Sequence, residues 1–124
     1  MIKPLHTFNE GIYFLNNVLS KDNIIYIALD ESKDKVIGML AFNENEINQL
    51  YIHVNYQRKG IGKKFLDIAK GNSAGRLTLY TFEVNQKAQR FYEKNGFKII
   101  GRGYENEENM DDIKYEWVRS GLLT

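Results

Sequence analysis

The two halves of the chain have different patterns of apolar and polar residues. In the first half, apolar residues recur at three- and four-residue spacing across Phe8–Leu19, which predicts a helix there in spite of Gly11. Three dense apolar segments follow at Ile24–Leu29, Val36–Phe42 and Ile47–His53, separated by short polar stretches. Short apolar segments joined by polar turns are typical of hairpins, so these three predict consecutive antiparallel strands.

Helical spacing returns in the second half of the chain and alternates with strand patterns. The predicted elements are a helix over Ile61–Gly71, a strand over Leu77–Phe82, a helix over Asn85–Asn95 capped by Gly96, and strands over Phe97–Gly103 and Ile113–Trp117. A strand, a helix and a second strand in succession require a parallel crossover, whereas the opening and closing hairpins are antiparallel. The predicted fold class is therefore α/β, in the mixed α+β sense, with one central, largely antiparallel mixed sheet flanked by helices.

Length and composition predict one globular domain over residues 1–124. A chain of 124 residues with 43% hydrophobic and 27% charged residues has the size and composition of a single domain. It contains no cysteine, which excludes disulfides, thiolate zinc sites and a cysteine nucleophile, and its two histidines predict no metal site. No apolar stretch approaches the roughly 20 residues that span a bilayer, so we expect a soluble, cytoplasmic protein without a membrane partner.

Charge is unevenly distributed along the chain, although the net charge is only +1. Residues 57–103 hold 11 Lys and Arg against 3 Asp and Glu, while the segments on either side are net acidic. A basic block of this kind can attract a phosphate-bearing ligand, or it can be the solvated faces of lysine-rich helices. Charge alone does not decide between the two interpretations.

The clearest chemical signal is the glycine turn, Gln57–Lys64, which follows a predicted strand and opens a predicted helix. Its glycines let the backbone approach a ligand, and the free N–H groups and positive dipole end of the helix attract anions. Two familiar phosphate motifs do not fit, because GxGxxG fails at Phe65 and GxxxxGK[ST] fails at Gln57 and Lys64. Taken alone, the segment could also be a turn that binds no ligand.

Two further segments change that interpretation. Leu50–His53, Gln57–Gly62 and Val84–Phe97, taken together at their separation, resemble the GNAT superfamily of N-acetyltransferases. The resemblance extends from about Ile24 to Val118. The family's Q/R-x-x-G-x-G/A segment falls on Gln57, Gly60 and Gly62. The family's asparagine, alanine and aromatic-tyrosine positions in the next helix fall on Asn85, Ala88, Phe91 and Tyr92.

The resemblance implies an acyltransferase that moves the acetyl group of acetyl-CoA, its cosubstrate, to a primary amine by direct attack on the thioester. Family members hold the pyrophosphate on the glycine turn, here Arg58, Lys59, Gly60, Ile61, Gly62 and Lys63. They pair the pantetheine arm with the preceding strand end and contact the coenzyme with an asparagine, here Leu50, Tyr51, Ile52 and Asn85. In the family the strand over Leu77–Phe82 diverges from that strand end, which leaves a slot for the thioester. Tyr92 takes the place of the general acid, and a backbone N–H near Ile52 would stabilise the oxyanion.

Each of these residues also has a structural interpretation. Asn85 could serve only as a helix N-cap, and Tyr92 could be a core residue of an amphipathic helix. An ammonium must lose its proton before it attacks, and the sequence offers three candidates for the base: Glu46, Glu83 and His53. His53 could equally be a surface residue at a strand end. The choice among the three stays open.

The acceptor is not identified beyond a small-molecule or peptide amine, since one fold serves many substrates. The region before the first predicted strand is shorter than in the family, so we expect a shallow acceptor pocket or one completed by a second subunit, and a homodimer. Two other function classes stay open. One is a non-catalytic acyl-CoA-binding module, and the other is a nucleic-acid binder that uses the basic block. Because no stacking motif accompanies that block, we expect no nucleic-acid partner.

Overall fold

The computed structural model describes residues 4–9, 11–16, 23–104, 106 and 108–121, and for residues 4–9 it describes the backbone alone. The described residues form eight strands and two α-helices. Their order is β1 (Pro4–Asn9), β2 (Ile12–Asn16), β3 (Ile24–Asp30), β4 (Lys35–Phe42), β5 (Ile47–Ile52), α1 (Ile61–Gly71), β6 (Arg76–Phe82), α2 (Gln86–Lys94), β7 (Lys98–Gly103) and β8 (Asp112–Val118). Short 3-10 helices at Glu31–Lys33 and Val54–Tyr56 follow β3 and β5.

The strands form two sheets that meet at one place. β1 to β5 make an antiparallel meander in chain order, and β6, β8 and β7 make a second antiparallel sheet in that order. β5 and β6 run parallel where they begin, at an isolated bridge between Glu46 and Thr78, and the Thr78 N–H donates to the Asn45 carbonyl at 3.0 Å. The predicted mixed α+β fold class is confirmed, but the predicted single central sheet is instead two antiparallel sheets, because in the described residues only the isolated bridge joins β5 to β6. Beyond that bridge the two strands diverge, as the family resemblance implies.

The helix predicted over Phe8–Leu19 is wrong in the part of that segment that the structure describes. Its residues belong to the hairpin of β1 and β2, and Gly11 lies at the turn with a φ of 85°, where a glycine is favoured. Ile12 and Phe14 are buried and alternate with a half-buried residue, which is the period of a strand. β2 pairs along its whole length with β3, so long-range hydrogen bonding overrides the local helical spacing. Leu19 itself lies outside the described residues.

The core is one buried cluster shared by α1, one face of the five-stranded sheet and the second sheet. The apolar face of α1 is buried as its periodicity predicts, through Ile61, Phe65, Leu66, Ile68 and Ala69. Phe65 meets Phe14 of β2 edge to face, with ring centroids 5.1 Å apart. Gly38 of β4 lets the helix come this close, because a Cβ there would lie 3.0 Å from Cε2 of Phe65. Phe65, the residue after the glycine turn, therefore fixes the first part of α1 against the sheet.

Candidate functional site

A cleft of about 270 Å³ lies between β5, β6 and α2, where the two sheets separate. Its lining residues are Ile47, Asn48, Gln49, Leu50, Leu79, Tyr80, Thr81, Asn85, Ala88 and Tyr92. Three of the predicted site residues, Leu50 of β5, Asn85 at the N-cap of α2 and Tyr92 of α2, are thus brought to one cavity from two separate segments. The glycine turn lies beyond the end of β5 and does not line the cavity itself.

The edge of β5 presents unpaired backbone groups toward this cleft. The His53 N–H donates to the Ile37 carbonyl at 2.7 Å, so the backbone of His53 and, two residues earlier, of Tyr51 faces β4. Because backbone direction alternates along a strand, the N–H and C=O groups of Leu50 and Ile52 face away from β4, toward the cleft. Tyr51, whose side chain is exposed, is therefore not directed into the cleft by its backbone. Leu50, which lines the cleft, and the N–H of Ile52 are therefore the groups that can pair with an extended ligand, since the Ile52 carbonyl already accepts from the Gln57 side chain.

The glycine turn has the geometry of a bare helix N-terminus. Gly60 is the N-cap of α1 with φ 86° and ψ 0°, and no side chain caps the first N–H groups. Arg58 also has a positive φ, of 63°, which is uncommon for a residue with a side chain. Arg58, Lys59 and Lys63 are exposed around these groups, and the described ion pair of Lys63 is a solvent-exposed one with Asp67 at 3.2 Å. Free amides, the helix dipole and mobile cations together favour an anion at this turn.

The second glycine of the motif has a packing role. A Cβ on Gly62 would lie 2.8 Å from Cζ of Phe91, so the α2 ring rests directly on the α1 backbone. This contact fixes how closely the two helices approach at the end of the cleft. The contact of the Gly62 backbone with phosphate stays a prediction. The contact with Phe91 is by itself enough to require glycine at this position.

A hydrogen-bonded chain joins the three elements around the mouth of the cleft. Lys87 of α2 donates through Nζ to Oε1 of Gln57 at 2.6 Å, and Nε2 of Gln57 donates to the Ile52 carbonyl at 2.9 Å. The contact links residues 30 positions apart in the chain, so no local pattern pointed to Lys87. Gln57, in contrast, belongs to the motif. Its side chain orients the last peptide of β5.

Tyr92 lies at the base of the cleft with its ring in an aromatic cluster. Its ring centroid is 5.7 Å from that of Phe97 and 6.1 Å from that of Tyr115, and the residue is 9% exposed. No described residue hydrogen-bonds to its hydroxyl, and the described residues include no buried side-chain oxygen without a partner, so the hydroxyl is the accessible part. Burial raises the pKa of Tyr92 to about 12. The hydroxyl therefore stays protonated at neutral pH and can donate a proton into the cleft.

Asn85 combines a structural role with an accessible amide. Its Oδ1 accepts from the Ala88 N–H at 3.0 Å, so it is the N-cap of α2. The N-cap role that the sequence left open is thus present. The residue also lines the cleft, and its Nδ2 group has no partner among the described residues. The cap fixes the side chain, which leaves the amide nitrogen in position to donate to a ligand.

The three candidate bases are all outside the described lining of the cleft. Glu83 is paired with Arg102 at 2.8 Å, and Glu46 is half-buried beside the bridge to β6. His53 accepts at Nδ1 from the Asn55 N–H at 3.1 Å and so caps the short helix after β5. The assignment of a base stays open.

Two observations concern other kinds of site. In residues 4–9, 11–16, 23–104, 106 and 108–121, no helix is both long and apolar enough to cross a membrane. In the same part of the chain, no three His, Cys, Asp or Glu residues are grouped so that they could hold a metal ion.

The fold and the site have the form of a GNAT-type acetyltransferase domain. Two sheets diverge, a strand edge is open between them, and a bare glycine turn follows that strand. A sequence model described as "Acetyltransferase (GNAT) domain" matches residues 21–99, and the chain belongs to this family. The resemblance stated from the motifs is thereby confirmed.

Similar proteins agree with this assignment. The chain is 37% identical over 102 residues to a protein of Mycobacterium tuberculosis named as a probable N-acetyltransferase, covering 73% of this chain and 59% of that protein. It is 30% identical over 89 residues to the peptidyl-lysine N-acetyltransferase YjaB of Escherichia coli, covering 72% and 56%. A Bacillus anthracis structure in complex with acetyl coenzyme A, described as a candidate streptothricin acetyltransferase, superposes with a TM-score of 0.67 at 25% identity. That superposition covers 91% of this chain and 68% of the other. The chain thus spans a little over half the length of these two curated relatives.

Proposed function

We propose that the protein is an N-acetyltransferase that uses acetyl-CoA as cosubstrate and transfers the acetyl group to a primary amine. The observation that carries this proposal is the cleft between β5 and β6, where unpaired backbone groups and the Tyr92 hydroxyl face one space. A thioester on an extended arm fits this arrangement, because an amide-containing chain can pair with Leu50 and Ile52 as an added strand. Asn85 supplies a further donor at the same cleft.

The coenzyme's pyrophosphate is assigned to the glycine turn. The N–H groups of Gly60, Ile61, Gly62 and Lys63 precede the first complete helical hydrogen bond, so they are available to phosphate oxygens. Arg58 and Lys59 add positive charge in the preceding residues. The turn begins five positions after the end of β5, so one ligand can reach both the turn and the cleft.

The reaction we assign to the cleft is a direct acyl transfer. The neutral amine attacks the thioester carbonyl, a C–N bond forms, and the carbonyl oxygen becomes an oxyanion that the Ile52 N–H stabilises. As the C–S bond breaks, the electron pair goes to sulfur, and the thiolate takes the proton of the Tyr92 hydroxyl. The tyrosinate is returned to its neutral form by the proton that the amine releases, which a base or a water chain carries.

The acceptor proposed is a small-molecule or peptide amine. The E. coli relative is named as a peptidyl-lysine N-acetyltransferase, which supports a peptide amine among these. The cleft presents the neutral polar side chains Asn48, Gln49 and Thr81, which can orient an acceptor by hydrogen bonds. Cytoplasmic location and a single functional domain over residues 1–124 stay predictions, and the shared core of the two sheets supports the second.

The experiment that tests this function is a free-thiol assay with acetyl-CoA across a panel of peptide and small amines. We expect thiol release that depends on an amine, and no release without protein. Calorimetric titrations with coenzyme A and with a single-stranded RNA run alongside. Coenzyme A binding without thiol release for any amine would support the non-catalytic module, and RNA binding without coenzyme A binding would refute both coenzyme A proposals.

We also propose that a second copy covers the sheet face opposite α1. Ile25, Ile27 and Met39 are half-buried on that face and Tyr51 is exposed, while the core packs on other positions of the same strands. Open apolar faces of this kind favour association of like subunits. Sedimentation equilibrium should give a dimer that Ile27→Lys dissociates, and a monomeric parent would exclude this interface.

A further inference from the structure

The carboxylate of Asp30 is buried at the end of β3, far along the chain from the glycine turn. The residue is 6% exposed, and no other charged residue in the described part of the chain is buried. Its Oδ1 accepts from Ser32 Oγ at 2.6 Å and from the Ser32 N–H at 3.1 Å, and its Oδ2 accepts from the Tyr56 hydroxyl at 2.6 Å. The Ser32 hydroxyl and then the Tyr56 hydroxyl hold the pKa of Asp30 below its usual value. The group is therefore an anion with both oxygens used.

The two oxygens of Asp30 serve different segments. Oδ1 secures the hairpin between β3 and β4, to which Asp30 itself belongs, whereas Oδ2 reaches a residue 26 positions later. Burying a carboxylate costs desolvation free energy that its hydrogen bonds must first offset, so stability alone does not explain the buried charge of Asp30. What the carboxylate adds is a fixed direction for the Tyr56 hydroxyl.

Tyr56 connects this anion to the glycine turn. It is the last residue of the short helix after β5 and is 9% exposed. Nζ of Lys59, inside the turn, lies 5.4 Å from the centroid of the Tyr56 ring. Arg58 and Gly60, on either side of Lys59, both have positive φ. A non-glycine residue such as Arg58 is strained in that region and persists there only where its surroundings fix it.

We propose that Asp30 is a positioning residue for the coenzyme: through Tyr56 it holds the glycine turn in the conformation whose N–H groups receive the pyrophosphate. This inference rests on the proposed assignment of the pyrophosphate to that turn. Asp30 touches neither the turn nor the cleft lining, so it acts on the ligand only through Tyr56.

The test compares two variants that each remove one hydroxyl from the same carboxylate. Tyr56→Phe keeps the ring and its contact with Lys59 but deletes the bond to Oδ2, while Ser32→Ala deletes a bond to Oδ1 and leaves Tyr56 bound. Hydrogen bonds to a charged group are stronger than those between neutral groups, so both variants should lose thermal stability. We expect Tyr56→Phe to raise the Kd for coenzyme A and the KM for acetyl-CoA about tenfold with kcat unchanged at saturation. Ser32→Ala should leave Kd and KM within about twofold.

A truncated donor separates positioning from general damage. S-acetylpantetheine lacks the pyrophosphate, so Tyr56→Phe should leave its KM unchanged. Asp30→Asn leaves no buried charge and keeps an acceptor for Tyr56. This variant should show a smaller rise in the KM for acetyl-CoA and again no change in the KM for S-acetylpantetheine. It replaces Tyr56→Phe in the test if Tyr56→Phe does not fold. Equal effects of Tyr56→Phe on both donors, or equal effects of Ser32→Ala and Tyr56→Phe on KM, would overturn the positioning role alone. A parent protein that does not prefer acetyl-CoA to S-acetylpantetheine would overturn the pyrophosphate assignment and this inference with it.

Discussion

Replacing Tyr92 by phenylalanine removes one oxygen and keeps the aromatic contacts. The ring keeps its neighbours Phe97 and Tyr115, whose centroids lie 5.7 and 6.1 Å away. The hydroxyl has no hydrogen-bond partner in the described part of the chain, so its loss leaves no buried donor or acceptor unpaired. We therefore expect the stability to change by no more than about 0.5 kcal/mol, which corresponds to about 2 °C in Tm for a domain of this size.

The expected effect on catalysis is much larger than the effect on stability. General acid catalysis contributes about 10²–10⁴-fold, which is about 2.7–5.4 kcal/mol of transition-state stabilisation. Because burial raises the pKa of Tyr92 to about 12, about one hydroxyl in ten thousand is ionised at pH 8, so the acid is available in nearly every molecule. Phenylalanine can donate no proton to the departing thiolate. Tyr92→Phe should lower kcat within that range and leave the affinity for acetyl-CoA nearly constant.

The assay is thiol release at saturating acetyl-CoA and amine, with Tm measured on the same samples. Tyr26→Phe is the matched control, because Tyr26 is 7% exposed, stacks on Phe42 in β4 and does not line the cleft. It should lose no turnover. Full kcat in Tyr92→Phe would refute the acid role and show that the thiolate leaves unassisted. A large fall in Tm with kcat little changed would show that Tyr92 is a core residue only.

Three other measurements test the packing, the charge and the titration of the site. Gly62→Ala places a Cβ 2.8 Å from Cζ of Phe91, so the Tm of this variant should fall by several degrees. Gly71→Ala is the control, because its Cβ would have nothing within 4 Å and should not lower the Tm. Equal Tm values for the two variants in scanning fluorimetry would contradict the packing role of Gly62. Calorimetry should show a Kd for acetyl-CoA that rises between about 50 mM and 500 mM salt, since screening weakens the basic block, and a constant Kd would reduce that block to solvated surface. Burial raises the pKa of Tyr92 and Tyr115 from 10.0 to about 12, so the folded state holds these protons more tightly than the unfolded chain. The free energy of unfolding should therefore be steady below pH 10 and fall between pH 10 and about 12 in denaturant titrations, and a flat profile would refute the raised pKa of both tyrosines.

Local periodicity was sufficient for the elements that build the site. α1 and α2 follow their apolar spacing, and β3, β4 and β5 follow from dense apolar segments separated by turns. The same reasoning failed before Ile24, because spacing that fits a helix face over Phe8–Leu19 also leaves Ile12 and Phe14 on one side of a strand. Gly11 at the turn and the pairing of β2 with β3 decide the outcome. The second of these is a long-range property that a local pattern does not contain.

The site shows the same division between local and long-range information. The bare N-terminus of α1 is local, and Gly60 adopts the left-handed conformation that its place in the motif requires. The contact between Gly62 and Phe91 joins two helices, and the bonds from Lys87 to Gln57 and from Tyr56 to Asp30 cross 30 and 26 residues. Such contacts depend on how finished elements pack, so the sequence offered a family position for Gln57 but no signal for Asp30.

The divergence of β5 and β6 also protects the protein against aggregation. A strand edge with free N–H and C=O groups is a template on which another protein's strand can add, and proteins usually blunt such edges or cover them. Here the edge at Leu50 faces a cleft of about 270 Å³ that β6 also lines, and the Gln57 side chain covers the carbonyl of Ile52. A single narrow chain can enter that space, but a strand that belongs to a sheet brings neighbours that do not fit. The geometry that leaves β5 open to a slender ligand thus closes it to unrelated sheets.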